Sequence, residues 1–217
     1  MEYKDFRSKS PYNTVSMNVD LKKVLKRIED NPNWDLEQRR FQALVDIHKA
    51  RPWWEAQPKE ICAWLAAGHC KNIKSILDVG CGDGRWVPGV FSSYPKISYS
   101  GVELNKYHID DCRNRFPECD RILGDFLELP FQKRQFDLIL FGGVFNPKMD
   151  KLREESIINK AKELEPRFIL HTFDYTRSGY PPWLFMNGYH EVDSYVVPED
   201  SKDFKQLVMA HLFKRDV

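Results

Sequence analysis

The sequence predicts an α/β fold: a doubly wound, mostly parallel seven-stranded sheet with an antiparallel C-terminal hairpin and an N-terminal helical cap. Three observations carry that expectation. Between residues 76 and 171, short apolar runs alternate with segments of helical period, the pattern of β–α–β units that build a parallel sheet. The first run, Ile76-Leu77-Asp78-Val79, breaks into Gly80-Cys81-Gly82-Asp83-Gly84, and glycine is needed where a chain turns tightly or passes close to a ligand. The last two apolar or alternating runs, 189–197 and 206–214, have only a Pro-Glu-Asp-Ser-Lys-Asp loop between them. That connection is too short for a crossover helix, so these two strands must be antiparallel.

Each element has its own justification. Residues 1–16 are polar and broken by Ser8, Ser10, Pro11 and Asn13, which suits an arm or a lid. A helical cap is expected over 17–70. Its first helix puts Leu21, Val24, Leu25 and Ile28 on one face and Lys22, Lys23, Lys26 and Arg27 on the other, and Asn31-Pro32-Asn33 stops it. Asp35 caps a second helix that Pro52 ends. A third is expected over 59–67, with Ile61, Trp64 and Leu65 buried and Gly68 as its C′ residue. The core domain, 71–217, then begins. Helices are expected over 85–94, with a weak point at Pro88-Gly89, over 105–116, and over 149–164, where Leu152, Ile157, Ile158, Ala161 and Leu164 form the apolar set. Strands are expected over 98–103 and 121–125, each ending in an acid, and over 136–141 and 168–171. The fourth strand is apolar throughout after Asp137 and so is expected to be buried on both faces.

Composition narrows the class. In 217 residues, 33 basic and 32 acidic side chains leave a net charge of +1, so no global field points to nucleic acid or an anionic membrane. The cysteines Cys62, Cys70, Cys81, Cys112 and Cys119 are odd in number and lack CxxC spacing, which reads as reduced thiols and no metal site. Residues 1–10 lack the apolar stretch of a signal peptide, and no run reaches membrane-spanning length. A soluble cytoplasmic protein is expected.

A Gly-x-Gly-x-Gly turn after the first strand, Glu103 ending the second and Asp125 ending the third place three ligand-binding elements at successive strand ends. With the closing hairpin, the chain over about 73–214 resembles the Rossmann-like class I S-adenosylmethionine-dependent methyltransferases, whose first motif Asp78-Val79-Gly80-Cys81-Gly82-Asp83-Gly84 matches. A nicotinamide fold also carries an acid about 20 residues beyond its glycines, but Gly-x-Gly-x-Gly departs from that fingerprint's spacing. The resemblance implies S-adenosylmethionine as cofactor and S-adenosylhomocysteine as product. It implies that Gly80, Gly82 and Gly84, with small Cys81 among them, cradle the cofactor, that Asp78 takes its ammonium, and that Glu103 accepts both ribose hydroxyls. It further implies that Asp125 takes the adenine amino group, Phe126 gives a backbone N–H and an apolar face, and Leu104 lines the other side; Phe141 joins this set at the fourth strand's end.

Methyl transfer from a sulfonium is a direct displacement, for which an enzyme mainly aligns the reactants. The acceptor is expected over the fourth and fifth strands. His171 is the general-base candidate, with an unperturbed pKa near the working range, and Asp174 and Tyr175 are placed to orient it or bind substrate. A structural role for His171, finishing a buried strand, remains the competing reading, and the other histidines are read as structural or surface groups. Trp53, Trp54, Asn146, Tyr180 and Trp183 are candidates for the acceptor pocket, their aromatic members suited to a flat ring or the apolar face of a sugar. Glycines stand where metal-dependent relatives of this fold place an acid, so no metal is expected. The preferred function is methylation of a hydroxyl on a small molecule or sugar. N-methylation of RNA or protein, supported by the basic face at 22–27, and a non-catalytic cofactor-binding subunit are the alternatives.

Overall fold

The computed structural model describes residues 26, 30, 31, 33, 35, 38, 53–145, 149–174, 187–196 and 208–216. The arm at 1–16, most of the first two helices of the cap, and Asn146, Tyr175, Tyr180 and Trp183 lie outside them. The elements are α1 (Trp53–Ala67), β1 (Ser75–Val79), α2 (Val87–Ser93), β2 (Ser98–Glu103), α3 (Lys106–Arg115), β3 (Asp120–Leu123), β4 (Leu138–Gly142), α4 (Lys151–Glu163), β5 (Phe168–Asp174), β6 (Tyr189–Val196) and β7 (Val208–Arg215). The strands form one seven-stranded sheet in the order β3-β2-β1-β4-β5-β7-β6. Strands β1 to β5 are parallel, β7 runs antiparallel to β5, and β6 antiparallel to β7. The order reverses between β2 and β4 at β1, and a crevice at such a point is where open α/β sheets bind ligands.

Period-two alternation assigns side chains to the two faces. Ile76, Leu138, Leu140, Phe168, Leu170, Ala210 and Leu212 pack with Ile61, Leu65, Val87 and Val90 from α1 and α2. Leu77, Val79, Ile139, Phe141, Ile169 and Phe213 pack with Ile157, Ile158, Ala161 and Leu164 on the other face. Leu138 to Phe141 are all buried because β4 lies under helices on both sides. Each such side chain contributes about 1.5–3 kcal/mol by leaving water.

Several boundaries differ from expectation, each for a physical reason. Helix α1 begins at Trp53, six residues before 59, and accommodates Pro58 within it. Its backbone at Pro58 lies against Gly89 of α2, where a Cβ would come within 2.9 Å of Pro58 O. The expected weak point at Pro88-Gly89 is thus a close helix contact, and Pro88 sits in the first turn of α2, where no N–H is required. Gly68 does not adopt positive φ, so it is not a left-handed C′ residue. Leu152 is 72% exposed rather than part of the α4 core. Asp125 lies two residues beyond β3, and β5 continues past His171 to Asp174. In the described part of the cap, Gln38 N–H donates to Asp35 Oδ1 at 2.7 Å, and Tyr107 of α3 donates to Asp35 Oδ2 at 2.7 Å.

Candidate functional site

The turn after β1 is built by its glycines, each for a different reason. Gly80, Gly82 and Gly84 all have positive φ, at 72°, 55° and 84°. A Cβ at Gly80 would meet Val144 at 2.8 Å, and one at Gly84 would meet Cys112 Sγ at 2.4 Å and Phe116 at 3.0 Å. A Cβ at Gly82 would meet nothing within 4 Å. The outer glycines let the β4 loop and α3 close in, and the central one faces the open crevice. Gly80 and Cys81 N–H both donate to Val102 O, at 2.8 and 3.0 Å, locking the turn to β2. The Cys81 side chain points away from the crevice: it is buried, a Cβ on Gly101 would lie 2.7 Å from its sulfur, and burial raises its pKa. Only its backbone is placed to contact a ligand.

Glu103 ties the second strand end to the turn. Its Oε2 accepts Gly82 N–H at 3.0 Å, and its Oε1 accepts Leu104 and Asn105 N–H at 2.8 and 2.9 Å. A carboxylate offers about four lone-pair sites, so three backbone donors leave little room for the expected bidentate grip on two ribose hydroxyls. Leu104 is 59% exposed beside it, as an adenine-lining residue should be. Asp125 is already engaged, its Oδ1 accepting Leu127 N–H at 3.0 Å and its Oδ2 paired with Arg153 at 2.7 Å. Burial pushes its pKa up, but the Arg153 and Leu127 hydrogen bonds outweigh this and hold the carboxyl below its usual value. The Phe126 side chain is in the core, 6.1 Å from Phe131, so the apolar face expected of it is not turned to the crevice.

Asp78 is fully buried. Its Oδ2 accepts from Tyr99 Oη, and Oδ1 has no hydrogen-bond partner among the described residues. Burial raises its pKa to about 7 against the lowering influence of the Tyr99 hydrogen bond and of Arg121 and Arg85. Arg85, next after the last glycine, donates from Nη2 to Gln57 Oε1 of α1 at 2.6 Å, and burial lowers its pKa to about 10. Gln57 is buried, and its Nε2 likewise lacks a partner among the described residues. Gln57, Arg85 and Tyr99 were absent from the expected site. An Arg after Gly-x-Gly-x-Gly was visible in the sequence, but nothing local signals that a helix glutamine 28 residues earlier meets it.

At the acceptor end, Gly142 closes β4 because the Trp86 indole covers it: a Cβ there would lie 2.0 Å from Nε1. Phe141 is completely buried, 5.1 Å from Phe145 between ring centroids, so its side chain belongs to the core. His171 is 1% exposed, pairs with Phe141 on one side and His211 on the other, and lies 5.2 Å from the Phe145 ring. Burial, with a smaller influence from His211, lowers its pKa to about 3. An imidazole so placed is a far weaker base near neutrality than the expected role requires. His211 Nδ1 meets Glu191 Oε1 at 2.7 Å. Trp53 and Trp54 open α1 and Asp174 closes β5, and only their backbones are described. Among the described residues no group of three or more His, Cys, Asp or Glu side chains is placed to hold a metal, and no helix is long and apolar enough to cross a membrane.

The residues present fit S-adenosylmethionine on two observations. The buried Asp78 Oδ1, without a hydrogen-bond partner among the described residues, suits an ammonium, and the open space over Gly82 allows backbone-close approach of a ligand. Comparison with known proteins bears on the same stretch. Residues 76–164 match the family model described as a methyltransferase domain. An uncharacterized methyltransferase of Schizosaccharomyces pombe is 27% identical over 142 residues, covering 65% of this chain and 54% of its own length. The fatty-acid O-methyltransferase of Mycolicibacterium smegmatis is 30% identical over 115 residues, covering 51% of this chain and 40% of its own. The chain thus spans about half the length of the curated relatives it matches. Among solved structures, magnesium protoporphyrin IX methyltransferase from Synechocystis with bound S-adenosylmethionine superposes with a TM-score of 0.60 at 13% identity, over 92% of this chain and 93% of that one.

Proposed function

We propose that this chain, a class I S-adenosylmethionine-dependent methyltransferase by its fold and by the sequence of residues 76–164, transfers a methyl group to an oxygen of a small molecule. The observation that carries the reading is the joined pair of strand ends, with Glu103 Oε2 holding Gly82 N–H across the crevice mouth. When bound, the sulfonium supplies an activated methyl group, and the protein's own work is binding and alignment. Asp78 Oδ1 receives the ammonium, Glu103 accepts one ribose hydroxyl through its remaining lone pair, and Leu104 covers the adenine. Asp125 shares its carboxylate between Arg153, Leu127 N–H and the adenine amino group.

Similarity to a fatty-acid O-methyltransferase supports oxygen as the acceptor atom. A carboxylate acceptor is already deprotonated and needs no base; a hydroxyl acceptor would have to pass its proton to solvent water as the displacement proceeds. A buried, neutral His171 suits a site whose chemistry requires alignment rather than strong base catalysis. Calorimetric titration with S-adenosylmethionine and S-adenosylhomocysteine tests the cofactor reading, and binding of neither overturns it. Transfer of labelled methyl to hydroxy, carboxy and amino small molecules, and to RNA, tests the acceptor. Label appearing only on nitrogen or on RNA would refute the oxygen assignment.

A further inference from the structure

Parallel pairing puts Asp78 of β1 opposite Gly101 of β2, and Gly101 opposite Arg121 of β3. Residues directly opposite on neighbouring strands share a face of the sheet, so a carboxyl and a guanidinium stand in one row with only a glycine between them. We infer that Arg121 is a positioning residue for cofactor binding: acting through Tyr99 from two strands away, it holds Asp78 in the ionised form that takes the ammonium, an inference that rests on the S-adenosylmethionine reading and deepens it.

Arg121 itself is out of a ligand's reach. It is 5% exposed, and the Cys81 side chain covers the middle of the row, since a Cβ on Gly101 would lie 2.7 Å from Cys81 Sγ and 3.3 Å from Arg121 Cδ. Its Nε donates to Cys112 Sγ at 2.8 Å and its Nη1 to Asp120 O at 2.7 Å, while Nη2 has no hydrogen-bond partner among the described residues. Burial raises the pKa of the Cys112 and Cys119 thiols beside it, so the guanidinium is held by neutral groups. A buried charge is screened far less than one at the surface.

Tyr99 supplies the link. It stands two residues before Gly101 on the same face of β2, its hydroxyl donates to Asp78 Oδ2, and the Arg121 guanidinium lies 4.8 Å from its ring centroid. A cation over the ring fixes its orientation, and Arg121 draws the phenol's pKa down against a larger rise from burial, which strengthens the hydroxyl as a donor. A hydrogen bond to the charged form of a carboxyl favours that form. The groups that face Asp78 come from every neighbouring element: Tyr99 and Glu103 from β2, Arg121 from β3, Arg85 and Cys81 from the turn, Cys62 from α1 and Cys112 from α3. Of these, Tyr99 and then Arg121 favour its charge most, and Glu103 opposes it.

The two ends of the row are two strand spacings, about 10 Å, apart. At an effective dielectric of about 20, a unit charge at that distance changes an ionisation constant about 10-fold.

The test is the affinity for S-adenosylhomocysteine, measured by calorimetry at pH 6 and at pH 8.5. Below about pH 7 the Asp78 carboxyl must lose its proton before it takes the ammonium, and well above it that step is already complete. Arg121→Met should therefore bind about 10-fold more weakly than wild type at pH 6 but within about 3-fold of it at pH 8.5. Arg121→Lys, which keeps the charge, should return the affinity at pH 6 to within about 3-fold of wild type. Tyr99→Phe should show the same pH-selective loss, because it removes the hydroxyl that favours the carboxylate. If Arg121→Met fails to fold, Arg121→Gln and Tyr99→Phe carry the test. No loss at pH 6, equal weakening at both pH values, or a lysine variant as weak as the methionine variant would show that Arg121 only braces the fold, and would overturn the inference while the cofactor reading stands. Absence of binding by wild type at both pH values would instead remove the cofactor reading, and the role of Arg121 with it.

Discussion

Replacing Asp78 by asparagine should make the protein more stable at pH 8 and less able to bind its cofactor. The Asp78 carboxyl is fully buried, and its pKa rises from an ordinary value of 3.8 to about 7. A carboxyl whose pKa is raised by folding stabilises the folded state relative to its ionised form only while it is protonated. Its contribution is complete below about pH 4, declines as pH rises, and is lost through pH 7. At about 1.4 kcal/mol per pH unit, the loss amounts to about 4 kcal/mol between pH 4 and pH 8. The amide of the Asp78→Asn variant would not titrate, and its oxygen could still accept from Tyr99. Urea unfolding of wild type and variant at intervals from pH 4.5 to 8 should therefore show curves that diverge with rising pH, the variant gaining. Cofactor binding should reverse the penalty, because an ammonium at Oδ1 favours the ionised carboxylate. At pH 6 the carboxyl is about nine-tenths protonated, so binding of S-adenosylhomocysteine should release about 0.9 proton from it. Calorimetry in buffers of different ionisation enthalpy reads that number as the difference between wild type and Asp78→Asn. Parallel stability curves, together with no difference in proton release, would refute the reasoning.

Glu103→Gln should weaken cofactor binding about 10- to 100-fold and lower stability by about 1–3 kcal/mol, since one of its oxygens becomes an amide facing a backbone N–H; calorimetry and denaturant melting measure the two. Gly82→Ala and Gly84→Ala should separate folding from binding. The first meets open space and costs only the strain of positive φ, about 1–2 kcal/mol, while impairing binding. The second forces a methyl to within 2.4 Å of Cys112 Sγ and should destabilise by more, about 2–4 kcal/mol, in equilibrium unfolding. His171, with its pKa lowered to about 3, contributes stability present above about pH 6.5 and lost as pH falls toward 3. His171→Phe should flatten the acid limb of the stability profile, and His171→Gln should leave the shape of the pH–rate profile between pH 6 and 9 unchanged. An acid limb within that range that disappears in the glutamine variant would restore the general-base role.

The parts legible in the sequence were those whose chemistry is local. An apolar run ending in Gly80-Cys81-Gly82-Asp83-Gly84, acids at Glu103 and Asp125, and a hairpin without room for a helix each constrain the backbone within a few residues. Together they point to a mostly parallel sheet with an antiparallel C-terminal pair, because parallel units must cross over and the final pair cannot; the strand order itself came with the structure. What those residues do is less local. Glu103 reads as a ligand acceptor from its place at a strand end, yet most of its capacity holds the turn. Cys81 sits in the glycine turn and Phe141 near the end of the fourth strand, but both side chains are buried, which is decided only after the sheet has packed. His171 carries the right chemistry for a base, and only its depth between β4 and β7 removes that chemistry by desolvation.

Pairings across sequence distance belonged to the tertiary structure alone. Nothing near Gln57 marks it as a partner of Arg85, because in sequence it precedes the helix expected over 59–67. It reaches Arg85 because Gly89 lets α1 lie against α2, and it remains half-satisfied because the same packing shuts out water. Sequence alone determined the fold class and the glycine turn after the first strand, where short-range backbone constraints suffice. Packing decided which polar groups were buried and which of them met a partner, because desolvation and partner geometry exist only once distant elements meet.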